Sequence, residues 1–278
     1  HRTMRETDIK KQYMKIKVFK LIIPVLLPAV LTGCSDGRDP LPQNREAGLQ
    51  IESCSSRGND ADDGNSRVED FGIILLDDAG GAYTGVANPL HVTYGGGWHF
   101  PEVTLTETAC RLFAFHPFLS IQGQELPVSL TTQTDYMASG ELRLDWLNNR
   151  ADIEMAHLLS LMEVTVDGSD ACSLSLDGVP TEGMYDLADG TLSIKPETGT
   201  LVSVGNRLLM FPGPAGGGKA RIHYRERTYD WYLPAGTLEP GKRYGHALTL
   251  DKEGTLILSG VNVRPWEAGE DYTGTIKP

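Results

Sequence analysis

An all-β fold, arranged as two β-sandwiches in tandem, is what this sequence predicts, and three observations carry the prediction. Short stretches alternating apolar and polar residues recur at a spacing of roughly ten residues. Turn signals separate them, and the 31 glycines and 16 prolines are spread along the chain instead of massed in one segment. Helical periodicity is almost absent. About 230 residues follow the amino-terminal segment, which suits two ordinary sandwiches better than one large one.

The elements follow in order. A first strand is predicted at 49–53, then a hydrophilic loop, RGNDADDGNSR, at 57–67. Residues 71–76 (FGIILL) form a buried strand, 82–88 a turn region and 90–94 a further strand, broken by Gly95-Gly96-Gly97. Residues 103–106 alternate, and 111–118 read as an aromatic-rich strand ending near Pro117. The best helical candidate, 142–162, fails its own test. Leu142 to Trp146 and 161–166 alternate with period two, and β-branched residues favour strand. Cys172-Ser-Leu174-Ser-Leu176-Asp177 alternates strictly, and 192–195, 201–204, 208–211, 220–224, 229–233, 244–250 and 255–263 continue the series. Asp189-Gly190, Pro212-Gly213-Pro214, Pro240-Gly241 and Glu253-Gly254 mark the turns between them. The expected boundary is near Glu154, giving an N-terminal sandwich at 49–154 and a C-terminal one at 155–278.

The amino-terminal segment gives an address. Lys15, Lys17 and Lys20 precede an apolar run at 21–31 and small residues ending on Cys34, the order of a secretory signal. The run covers about half of the roughly 20 residues that a bilayer span needs, and Pro24 and Pro28 interrupt it, so a transmembrane helix is disfavoured. Leu31-Thr32-Gly33-Cys34 is similar to a bacterial lipobox. That resemblance implies diacylation of the Cys34 thiol, cleavage before it and acylation of the new terminus. Met14 is the expected start, residues 1–33 an upstream extension plus signal peptide, and 34–48 a lipidated polar tether. Ser35-Asp36 resembles an acidic surface-export signal. Cleavage removes seven basic and two acidic residues, taking totals of 25 and 37 to 18 and 35 and the formal net charge from −12 to −17. So acidic a chain argues against nucleic acid or an anionic membrane surface as partner.

The chemical motifs are weak. With Cys34 lipidated, Cys54, Cys110 and Cys172 remain, an odd number without C-x-x-C spacing, so they read as small buried apolar residues, with one bridge from Cys54 left open. Gly213 to Lys219 matches G-x-x-x-x-G-K, but Ala220 stands where a magnesium-binding hydroxyl is needed and strand, not helix, follows. Asp60, Asp62, Asp63 and Gly64 hint at a calcium loop, yet counting back from the glycine puts Ala61 in a ligand position. His91, His99, His116, His157, His223 and His246 show no metal spacing, although His91 and His99 flank the triple glycine. No nucleophile elbow occurs. No catalytic residue, metal or cofactor is predicted.

Four stretches together resemble a known family. These are Thr134-Asp135-Tyr136-Met137, the strand from Ala156-His157-Leu158 to Val166, Pro234-Ala235-Gly236 with Gly241-Lys242-Arg243-Tyr244, and the ending Gly260-Val261-Asn262-Val263-Arg264-Pro265-Trp266-Glu267-Ala268-Gly269. Their order, with the lipobox, resembles the fimbrillins of Bacteroidetes. The resemblance implies two transthyretin-like Greek-key sandwiches, export as an outer-membrane, surface-exposed lipoprotein, and assembly with the same or related subunits into a type V pilus. It further implies that an arginine-specific protease cuts after the first strand, here at Arg57 or Arg67. That strand then leaves, and a C-terminal strand of another subunit fills the groove. The donor would lie within 255–276, with Leu256, Leu258, Val261 and Val263 as its knobs after a half-step at Gly260. The rival expectation is a monomeric, lipid-anchored adhesin or glycan-binding module using Trp98, Trp231 and Tyr232; an envelope hydrolase has only unplaced carboxylates behind it. Stalk, anchor and tip roles stay open.

Overall fold

The computed structural model describes residues 45–56, 67–215 and 218–266. Cys34, the signal peptide, Met14, most of the tether, Arg57, the acidic loop at 60–64, Gly216, Gly217 and the end of the chain from Glu267 lie outside the described residues. The described residues contain strands and turns and no α-helix.

The first half holds β1 (Ala47–Gly48), β2 (Gln50–Ser56), β3 (Asp70–Leu76), β4 (Leu90–Tyr94), β5 (Trp98–His99), β6 (Thr104–Leu105), β7 (Cys110–His116), β8 (Glu125–Ser129), β9 (Met137–Ser139), β10 (Leu142–Leu144) and β11 (Arg150–His157). Eight of these make one sheet in the order β2-β11-β9-β7-β3-β4-β5, with β10 added on β7. All its pairings are antiparallel except β2 with β11. β11 runs straight through Glu154, so a single strand carries the chain from one half into the other. The end of the expected tether is already paired, since β1 lies against β6.

The second half holds β12 (Ser160–Val166), β13 (Cys172–Pro180), β14 (Glu182–Asp186), β15 (Thr191–Ile194), β16 (Thr198–Val202), β17 (Arg207–Met210), β18 (Gly213–Pro214), β19 (Lys219–Tyr224), β20 (Arg227–Tyr232), β21 (Thr237–Leu238), β22 (Lys242–Leu250) and β23 (Leu256–Pro265). Two four-stranded sheets, β17-β12-β22-β23 and β16-β13-β19-β20, pack their alternating apolar faces together. A smaller sheet, β15-β14-β8, takes its last strand from the first half.

The apolar run of β3 explains how the halves join. Phe71, Ile73 and Leu75 face one core with Leu112, Ala114, Ala151 and Ile153. Ile74 and Leu76, with Phe113 and Phe115, face the other way, into a core that continues through Leu126 and Val128 to Leu161, Val164, Leu176 and Leu208. A strand buried on both faces has no polar side to alternate with. Gly72 belongs to the same packing: a Cβ there would fall 2.2 Å from a ring carbon of Phe115, its cross-strand partner.

Candidate functional site

β2 is an edge strand with one strand neighbour, β11, and only scattered backbone bonds on its other side, from Val68 to the Cys54 carbonyl and from Leu49 to the Val103 carbonyl. It pairs in parallel with β11 from Gln50 opposite Arg150 to Ser56 opposite Met155, with a register shift between Ala151 and Asp152 that leaves Glu52 as an extra residue. Leu49, Ile51 and Cys54 are buried in the first core, while Ser53 faces outward and donates its hydroxyl to Asp152 Oδ1 at 3.0 Å. Because of the bulge, the inward positions are 49, 51, 54 and 56, a spacing of two, three and two. Burial of Leu49, Ile51 and Cys54 is worth about 4–7 kcal/mol, so the strand is replaceable but not free to leave.

Of the two predicted cleavage sites, Arg67 is described. Its guanidinium lies over the Tyr94 ring, 4.1 Å from the centroid, and Tyr94 meets Trp98 edge-on at 4.9 Å. Arg67 bridges to Ser55, and the Val68 amide donates to the Cys54 carbonyl at 3.1 Å. The Arg67–Val68 bond is therefore tied to β2 on its backbone and to the aromatic pair through its side chain. An extended, accessible backbone is what a protease needs.

β23 is the opposite case, an edge strand with poorly covered apolar residues. It pairs antiparallel with β22, and a register shift between Ala247 and Leu248 leaves Ser259 as its extra residue. Leu256, Leu258, Val261 and Val263 sit opposite Leu250, Leu248, His246 and Tyr244, on the core side. Only Leu256 is buried, at 8% exposure; Leu258 is 36%, Val261 50% and Val263 52% exposed. Beneath the two valines runs a groove of about 290 Å³ lined by Met162, Leu233, Tyr244 and His246. His246 meets Trp231 of the facing sheet edge-on at 5.3 Å, and burial holds its pKa below the ordinary imidazole value.

The far end of β23 is anchored firmly. Trp266 is 2% exposed, its amide donates to the Gly241 carbonyl at 2.9 Å, and its ring stacks on His157 at 4.0 Å and 2°. His157 Nδ1 in turn donates to Asp135 Oδ2 at 2.8 Å, and that pair is buried. His157 Nε2 and Asp135 Oδ1 have no hydrogen-bond partner. One residue from each of the four stretches singled out in the sequence thus meets here, where β11 and β23 end. Their service is to hold strand ends together, and stacking, burial and one charge-assisted hydrogen bond suffice for that.

The other sequence candidates separate cleanly. Cys54, Cys110 and Cys172 are free and buried, and desolvation pushes the Cys54 and Cys110 thiols up to about 12, with Cys172 raised as well. The bridge left open for Cys54 is not formed. Lys219 opens strand β19 and pairs with Asp230 at 2.7 Å, so the glycine-rich stretch leads into a strand and not a phosphate-facing helix. His91 contacts Asp70 and stacks on Phe118. Among the described residues no three His, Cys, Asp or Glu side chains are grouped to hold a metal. Of the aromatics proposed to stack on sugars, Trp231 is buried, Trp98 packs half-buried against Phe71, and only Tyr232 is well exposed, at 65%.

A carboxylate held between two arginines lies in the second half. Burial raises the Glu163 carboxyl, but Arg243 and Arg207 outweigh it and hold the carboxyl below the usual glutamate range. Glu163 thereby ties β12 to both of its neighbours, β17 and β22.

Comparison with known proteins decides the family. A family model described as Fimbrillin-like matches residues 62–266. The chain belongs to the fimbrillin-like family. Solved structures share the fold of this fimbrillin-like chain. A candidate cell adhesion protein from Bacteroides uniformis superposes with a TM-score of 0.63 at 17% identity, covering 80% of this chain and 100% of that one. Another from Bacteroides ovatus gives 0.58 at 14% identity, covering 79% and 98%. A fimbrial protein from Bacteroides vulgatus gives 0.50 at 13% identity, covering 80% and 100%. No curated protein matches. Membership in the fimbrillin-like family rests on the family model, and the solved structures, bearing names of cell adhesion and fimbrial proteins, share its fold.

Proposed function

We propose that this fimbrillin-like chain is a structural subunit of a cell-surface fimbria, assembled by strand exchange with other fimbrial subunits. In this reading its two halves are tandem transthyretin-like Greek-key sandwiches, and it is exported as a lipoprotein, lipidated at Cys34 and held at the outer membrane. Cleavage at an arginine frees β2, and a C-terminal strand of another subunit takes its place along β11. The observation that carries the reading is the asymmetry between the two edge strands. β2 fills apolar sites along β11 yet has no second strand neighbour, and Arg57 follows it directly in the sequence. β23 presents apolar residues on its core side that its own sandwich leaves half covered. An edge with unpaired backbone groups and vacated side-chain sites is what β-augmentation requires. A head-to-tail contact of this kind propagates instead of closing.

The tethering of Arg67 favours Arg57 as the cut. The rival monomeric adhesin draws little support, since two of its three aromatics are occupied in packing. The test is limited digestion of the purified chain with an arginine-specific protease, followed by unboiled gel electrophoresis and terminal sequencing. Ladders with a new terminus at Gly58 are expected. A resistant monomer would refute strand exchange.

A further inference from the structure

β2 and β23 carry the same side-chain spacing, including the irregularity. In β2 and the residue just before it the inward side chains are Leu49, Ile51, Cys54 and Ser56, with Glu52 as the extra residue between the second and third. In β23 the core-side residues are Leu256, Leu258, Val261 and Val263, with Ser259 as the extra residue between the second and third. Both strands therefore step by two, three and two. Without the bulge a strand starting at Leu256 would turn Gly260 and Asn262 inward and lose both valines to solvent. The path along β11 already accommodates one extra residue at that point, because β2 has one.

Resting on the strand-exchange reading above, we propose that the partner is a second copy of this chain, and that its β23 enters beside β11 in one register. In that register Leu256 takes the place of Leu49, Leu258 of Ile51, Val261 of Cys54 and Val263 of Ser56. Chemistry matches position by position: aliphatic replaces aliphatic at the first two sites, and valine replaces a small buried cysteine at the third. At the fourth, Ser56 is only partly buried, so Val263 meets no filled core there. Outward, Gly260 and Asn262 take the places of Ser53 and Ser55, opposite Asp152 and Glu154. No charged residue enters the groove, because Arg264 lies beyond the last knob. The chain is thus complementary to itself, which is the property of a repeating subunit.

Cysteine pairs read the register directly. In the full chain carrying Glu154→Cys and Asn262→Cys, the two positions become neighbours only in the exchanged state, since Asn262 otherwise faces Gly245. The native thiols do not compete, for Cys110 and Cys172 are buried, and Cys34 and Cys54 both precede Gly58 and depart with the cleaved segment. After protease treatment and mild oxidation the pair is expected to lock most of the ladder covalently. The control Asp152→Cys with Asn262→Cys, two residues out of register, is expected to lock at least tenfold less. A second variant, Val261→Asp, places its charge at a half-exposed site in the free subunit but at the Cys54 site in the polymer. It should fold like the parent and lose laddering at least tenfold, whereas Asn262→Asp keeps it. Ladders that lock only through the control pair, or that tolerate Val261→Asp, would overturn the register while leaving strand exchange standing. Absence of ladders from the purified chain alone, with ladders on adding a different fimbrial subunit, would overturn self-complementarity. No ladders under either condition would overturn both proposals.

Discussion

Replacing Trp266 with alanine should loosen β23 selectively. The strand is held at its two ends, by Leu256 at 8% and Trp266 at 2% exposure, while Leu258, Val261 and Val263 between them are 36–52% exposed. A half-exposed aliphatic side chain contributes about 1 kcal/mol of its full burial. Truncating a buried tryptophan costs about 3–5 kcal/mol, part of it the stacking on His157. The anchor therefore outweighs the middle of the strand. The backbone bond from residue 266 to Gly241 can survive the substitution, so the loss is that of packing. Hydrogen exchange followed by mass spectrometry, alongside urea unfolding, reads both scales. Amides in the half of β23 paired with Tyr244 and His246 should exchange at least a hundredfold faster, while those of β12 and β13 change much less. A stability loss under about 1 kcal/mol, with β23 as protected as in the parent, would refute the idea that Trp266 fastens this strand.

Four further outcomes follow from the same structure. Gly72→Ala forces a methyl group into the Phe115 ring and should lower stability by about 1–3 kcal/mol in urea titration; an unchanged midpoint would mean the two strands slide apart at no cost. Glu163→Gln leaves Arg243 buried beside a neutral partner and should cost about 3 kcal/mol at neutral pH. The Glu163 carboxyl is depressed in the folded state, so its stabilisation is present above the ordinary glutamate value of 4.5 and disappears as pH falls through the lowered one. Parent and variant should accordingly converge in stability as pH falls below that lowered value, and a constant gap would contradict the assignment. Cys54 and Cys110, with thiols pushed up to about 12, should resist a thiol reagent at pH 8 in the folded chain and react once it is unfolded. Fast labelling of the folded chain would show that β2 and β7 open readily.

Much of the fold is legible because burial on one face writes itself into the sequence with period two. β4 spans the residues expected, β3 begins one residue early, and the alternation of β13, β19 and β22 survives intact. β8, β9, β11 and β14 are harder to see. In β11 the inward residues are Ala151, Ile153 and Met155 between charges, a weak signal that only pairing with β2 and β9 makes decisive. β2 extends to Ser56 for the same reason, since Ser55 and Ser56 have no apolar character of their own. The half-step near Gly260 is visible as a change of phase in the apolar pattern, and the structure assigns the extra residue to Ser259. Nothing local announces that Glu52 does the same in β2. Nor does anything local bring Asp135, His157 and Trp266 together, because their meeting depends on where β11 and β23 end. The stacking of Arg67 on Tyr94 is likewise a product of β4 lying beside the start of β3.

In the proposed exchange β2 leaves and β23 of another copy replaces it. Native mass spectrometry of the protease-treated chain weighs that exchange directly. Strand exchange requires oligomers whose masses are multiples of a subunit lacking every residue before Gly58, with no β2 peptide retained. A single species at the mass of one cut subunit, its β2 peptide still bound, would contradict it.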